Sequence, residues 1–172
     1  MTSAPNPLWN FAVHFYARPG VPAVCLALQD EHEADVNLLL FLLWCAAAGR
    51  LLSQDDVRRF DDEVRGWRDG AVVPLRALRR RLKGVALIEP AQQQAFRDKV
   101  QTLEQEAERT LQDALYGLSQ SQRFGMQAPP GEAARDNIAA YERALARNFP
   151  GAAIAVLIEN FAAVAGERTA PG

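Results

Sequence analysis

Eleven consecutive apolar residues, Leu38 to Ala48, constrain this chain more than any other segment. Spanning a bilayer takes roughly 20 such residues, so the run is too short to cross one. A helix that is apolar on every side has to be surrounded by other elements. Asp35 is suited to cap its start, and Gly49 to end it in a left-handed conformation. The segment therefore predicts a central buried helix, and the rest of the chain has to supply what covers it.

The rest reads as helices separated by Pro and Gly. Pro7 follows the capping residue Asn6 and opens a helix to Arg18, with Trp9, Val13 and Tyr16 at helical spacing. Pro19-Gly20 breaks it, and Pro22 opens a second helix, apolar almost all round and mostly buried. Ser53, with Asp56 three positions on, caps a fourth helix carrying the stripe Val57, Phe60, Val64 and Trp67, which ends between Gly66 and Gly70. Pro74 starts a short fifth helix with Leu75, Leu78 and Leu82 inward and Arg76, Arg79, Arg80 and Lys83 outward, and Gly84 ends it. Pro90 opens the longest helix, with Phe96, Val100, Leu103, Ala107, Leu111, Ala114 and Leu118 as its seam. Residues 119–131, SQSQRFGMQAPPG, read as a flexible loop. Ile138, Tyr141 and Leu145 mark a seventh helix, and Pro150-Gly151 precedes an apolar last helix, Ala152 to Ala165; residues 166–172 read as a disordered tail. The fold class is all-α: one domain, residues 1–172, a bundle of about seven to eight helices around a central apolar one.

Composition narrows the function classes. With 49% apolar residues, 23% charged and a formal charge of -2, the chain is neither disordered nor a polyelectrolyte, and nucleic acid is a disfavoured partner. Cys25 and Cys45, 20 positions apart in apolar surroundings, read as small buried hydrophobes and fit a reducing compartment. MTSAPNPLW lacks the basic and apolar regions of a signal peptide. The expectation is a cytoplasmic protein without membrane attachment.

Two places concentrate chemistry. Between the second and third helices, Gln29, Asp30, His32, Asp35 and Asn37 supply carboxylates, an imidazole and amides within nine residues, enough for a polar pocket. Asp35 has a capping role available. Gln29 and Asn37 adjoin strongly apolar helix, where an unpaired amide costs roughly 1–3 kcal/mol, so each needs a partner; a bond from Gln29 or Asp30 to Asn37 would fix the register of the helix pair. The second place is RALRRRLK, where Arg76, Arg79, Arg80 and Lys83 form a candidate basic docking face for an acidic protein partner. His14 and His32 belong to no H-x-x-x-H pair, and neither phosphate-binding glycine pattern occurs, so no metal, cofactor or catalytic residue is assigned. Asp55, Asp56 and Asp61 have the D-D-x-x-x-x-D spacing of the first aspartate-rich motif in helical prenyl-diphosphate synthases, but a second motif is missing, and Asp55 and Asp56 read as first-turn residues that complement a helix dipole.

WNFAVHFYARPGVPAVCLALQDEHEADVNLLLFLLW, followed by VVPLRALRRRLK, resembles an uncharacterised proteobacterial family of hypothetical proteins of about this length, most strongly over residues 9 to 83. The resemblance implies a compact helical protein and carries no activity. Its pattern often has a glycine two positions before the D-V-N triplet, where this chain has Glu33; that departure implies that the turn can be made without glycine and argues against a special backbone geometry there. Two functions fit these observations. One is a noncatalytic interaction or adaptor protein that docks through the basic helix and the long amphipathic helix, with self-association open to it. The other is a small helical enzyme or ligand carrier with a polar pocket where the second and third helices meet.

Overall fold

The computed structural model describes residues 6–86 and 88–167. The chain is an all-α bundle with one hydrophobic core. Its helices are α1 (Pro7–Tyr16), α2 (Val21–His32), α3 (Val36–Ala47), α4 (Gln54–Trp67), α5 (Val73–Arg81), α6 (Pro90–Ser121), α7 (Pro130–Leu145) and α8 (Gly151–Glu167). As expected, α3 is central. Nine of its twelve residues are buried, and it packs against α1, α2, α4, α6 and above all α7.

The caps follow from the sequence. Asn6 Oδ1 accepts from Trp9 N at 2.8 Å and Asp35 Oδ1 from Asn37 N at 2.8 Å, while Ser53 and Asp56 form a reciprocal capping box. Asp55 is exposed, Asp56 is engaged by Ser53 and Arg59, and Asp61 by Arg65 and Arg68, so the aspartate-rich spacing is used up in helix caps and ion pairs.

Several expected elements differ. No break separates α4 from α5: the helix continues through a π turn, Arg68–Val72, in which Val73 N donates to Arg68 O. Pro74 has no N–H to offer the preceding turn, and the wider π turn accommodates that loss. Residues 119–131 contain the end of α6, a two-residue strand β2 (Met126–Gln127) and the start of α7. β2 pairs antiparallel with β1 (Arg50–Leu51), in register Arg50 to Gln127. Gly125 has φ +62°, and a Cβ there would lie 2.7 Å from the Leu51 carbonyl oxygen, so the pairing requires glycine at this point. Phe124, just before it, packs edge-on to Phe60 at 5.0 Å. The expected tail runs past residue 167, and residues 168–172 lie outside the described residues.

The turn between α2 and α3 corrects another expectation. Glu33 sits at φ +59°, ψ +23°, in the left-handed region that ends α2, so the backbone there is the kind that favours glycine. The side chain reaches Arg147. Among the described residues no single helix is long and apolar enough to cross a membrane.

Candidate functional site

The helical spacing of Trp9, Val13 and Tyr16 is borne out, but they are not the core face of α1. Leu8, Phe11, Ala12 and Phe15 are buried, whereas Trp9, Val13 and Tyr16 turn towards a cleft of about 530 Å³, within the size range of small-molecule sites. Leu26 and Gln29 of α2 border it, and Val36, Asn37 and Leu40 of α3 lie along it. α2 is consequently less buried than its composition implied, with Val21, Cys25 and Leu28 inside and Leu26 exposed.

The opposite wall comes from the α5–α6 pair. Arg76 and Arg79 were expected to face solvent, but α6 draws them inward. Arg76 bonds Glu104 at 3.2 Å and Glu108 at 2.7 Å, and Arg79 bonds Glu104 at 2.5 Å. Arg80, at the mouth, makes two bonds to Asp30 across the gap, at 2.9 and 3.2 Å. Lys83 is exposed and lines no part of the cleft. The basic segment is therefore not one solvated face, because half of it is internally neutralised. Hydrogen bonding to Glu104 raises the Arg79 guanidinium pKa, and burial pushes the Glu108 carboxyl up although Arg76 opposes this. At the mouth, the Arg80 hydrogen bond holds the Asp30 carboxyl below its ordinary value.

The partner expected for Asn37 is also different. Gln29 reaches only Asp30, at 3.4 Å, while Asn37 Oδ1 accepts from Gln112 Nε2 of α6 at 2.9 Å. Gln112 lines the cleft and is 3% exposed, and its own Oε1 is buried without a hydrogen bond. Leaving such an oxygen unmet costs about 1–3 kcal/mol. Elsewhere the fold satisfies its buried amide: Asn137, on α7, has every amide bond made.

The other two candidates fall outside the cleft. His32 meets the Phe149 ring edge-on at 6.0 Å. Asp35 caps α3 and pairs with Arg68 at 3.3 Å, and Arg68 also bonds Asp61 at 2.5 Å and Asp69 at 3.3 Å. Burial would lower the Arg68 pKa, but these carboxylates together raise it well above its usual value. His14 is exposed and bonds the Asn10 carbonyl at 2.6 Å. So Gln29, Asn37, Arg76, Arg79 and Arg80 meet at one cleft with Asp30 at its edge, and two candidate sites far apart in sequence become one.

Sequence reasoning missed the α6 contribution, Glu104, Glu108 and Gln112. These recur at intervals of four on one helix face, and a basic helix of similar spacing precedes them; that complementarity was the available signal. The residues first assigned to the seam are partly wrong: Phe96, Leu103 and Ala114 are exposed, and Val100, Glu104, Ala107, Leu111 and Leu115 face inward. Chemically the wall offers amides, guanidiniums, carboxylates and a phenol, with no Ser, Thr, Cys, His or Lys among the described residues that line it. Both cysteines lie elsewhere in the core, and burial pushes the Cys25 thiol up to about 12.

The fold and site define a class: an all-α bundle whose central helix is sealed on one side and opens on the other into an amide-floored, charge-balanced cleft. The chain belongs to the family described as proteins of unknown function (DUF2390), whose model matches residues 7–115. That span contains every residue lining the cleft. No curated protein and no solved structure matches the chain.

Proposed function

We propose that this protein is a noncatalytic small-molecule carrier or sensor whose binding site is the cleft between α1, α3, α5 and α6. The observation that carries the reading is the unmet Gln112 Oε1, since a hydrogen-bond donor entering the cleft is the simplest partner for it. The lining supports this further, with apolar residues from three helices around a few convergent polar groups. Two free, buried cysteines fit a reducing, cytoplasmic setting.

The test is a thermal-shift screen of diverse small molecules against the wild type and Val13→Trp, which blocks the cleft from an exposed position. A true ligand at a hundredfold excess over Kd raises the wild-type Tm by about 5–10 °C and leaves Val13→Trp unchanged. A ligand that stabilises both equally binds elsewhere and removes the assignment. A second reading, docking of a protein partner, is favoured by Phe96 and Leu103, 55% and 51% exposed on the outer face of α6. Phe96→Ser with Leu103→Ser would abolish that association and leave ligand stabilisation intact.

A further inference from the structure

Resting on the cleft reading, we propose that the ligand is an uncharged amphipathic molecule: a hydroxyl- or amide-bearing head that donates a hydrogen bond to Gln112, and an apolar body lying across Trp9, Val13, Leu26 and Leu40.

Three features converge on this chemistry. The first is the sign of the orphan group. Gln112 Nε2 bonds Asn37, and Gln112 Oε1 is buried without a partner; as an acceptor it attracts N–H or O–H and repels the oxygens of a carboxylate or phosphate.

The second is charge balance. Three arginines on the wall suggest an anion site, but each is paired with a carboxylate: Glu104 and Glu108 for Arg76, the same Glu104 for Arg79, Asp30 for Arg80. An anion entering at Arg76 or Arg79 would have to displace Glu104, which is buried and would be left charged without a partner, the costly outcome for an ion pair; only Arg80, at the mouth, has an exposed partner to exchange. A cation would have to take the same carboxylates from three guanidiniums. Neither ion gains what an open site of one sign would provide.

The third is the distribution of apolar surface. Val13 and Leu26 are 49% and 46% exposed, and both border this cleft. Trp9 and Leu40 line the same cleft, and together the four supply apolar surface suited to a hydrocarbon or ring body. The polar floor and apolar lip set the order of the ligand, head inward and body outward.

The experiment uses four matched probes, hexanamide, hexan-1-ol, hexanoate and hexylammonium, titrated into the full chain and followed by backbone amide shifts in two-dimensional NMR. Hexanamide and hexanol are expected to shift residues around Trp9, Leu40 and Gln112 and to bind at least about tenfold more tightly than either ion. They should weaken by about tenfold in the paired variant Asn37→Leu with Gln112→Met, the loss of roughly one hydrogen bond. Leu26→Lys, at an exposed position that should not disturb folding, should weaken both by removing the apolar lip. If hexanoate or hexylammonium binds the same residues as tightly as hexanamide, the uncharged class is overturned while the cleft assignment stands. If the neutral probes bind there but the paired variant binds them equally well, Gln112 is not the acceptor and the proposal fails. If none of the four shifts any cleft residue, both the ligand class and the cleft reading fall.

Discussion

The central helix has two sides that treat buried polar groups in opposite ways. Towards α7 everything is matched. Asn137, fully buried, accepts from Leu52 N at 2.7 Å and donates to the Leu42 and Arg50 carbonyls at 3.0 Å each, pinning β1 to the core. Nearby, Tyr141 accepts from Asp35 N at 2.7 Å, and burial drives its phenol pKa far up, so it stays neutral. Towards α6 the matching is incomplete: Asn37 and Gln112 pair with each other, and one oxygen is left over beside a cleft. The α7 side contributes stability. On the α6 side, an unmet polar group coincides with an open cleft, the feature from which the proposed binding role is argued.

The largest expected effect comes from breaking the matched side. Asn137→Ala strands the Leu52 N–H and removes two further bonds, and urea unfolding should show a loss of about 2–4 kcal/mol. A loss smaller than that of any cleft substitution would overturn the contrast. Next is Glu104→Gln, which leaves Arg76 and Arg79 without their shared charge. A wholly buried broken pair costs roughly 3–5 kcal/mol; both arginines keep some solvent contact, so about 2 kcal/mol is expected by the same method.

The amide pair gives a sharper test because the sign changes. Asn37→Leu alone strands both polar ends of Gln112 and should cost about 1–3 kcal/mol. Adding Gln112→Met removes the stranded groups, and the double variant should return to within about 0.5 kcal/mol of the wild type or exceed it. A double variant no more stable than Asn37→Leu would show that Gln112 is already satisfied.

How far the sequence determines these two sides can be judged residue by residue. The run Leu38 to Ala48 requires a buried central helix because no other environment suits it, and Asn6, Asp35 and Ser53 mark helix starts because their side chains meet backbone N–H groups nearby in sequence. Trp9, Val13 and Tyr16 mark α1 as a helix without telling core from cleft, because apolar spacing identifies a face that avoids water whatever its neighbour. Asn37 was recognised as needing a partner, but Gln112 is 75 residues away and no local pattern joins them. The left-handed turn at Glu33 leaves no trace in the sequence, because glycine is absent there. Glu33→Gly should therefore stabilise the fold by about 0.5–1 kcal/mol, less whatever the exposed contact with Arg147 contributes. A destabilised variant would mean that this ion pair outweighs the backbone strain.

The smallest effect lies at the mouth of the cleft, where Arg80 and Asp30 are both nearly half exposed. An exposed pair contributes little, so Arg80→Gln should change stability by less than about 0.5 kcal/mol and by less still in high salt. Its pH signature is more informative. The Asp30 carboxyl is held low in the folded protein, chiefly by the Arg80 hydrogen bond, so its contribution is fully present above the ordinary aspartate pKa and is lost as pH falls through the lowered folded value. Arg80→Gln should remove that part of the acid dependence. Glu108, deeper in the wall, runs the other way: burial raises its folded pKa, so its contribution is present below the ordinary glutamate pKa and is lost as pH rises through the raised value. Relative to Glu108→Gln, the wild type should therefore gain stability on acidification. Opposite slopes for the two variants in pH-dependent urea unfolding would separate a solvated mouth from a desolvated wall; parallel slopes would mean that both carboxylates see the same solvent and that the cleft does not close around its charges.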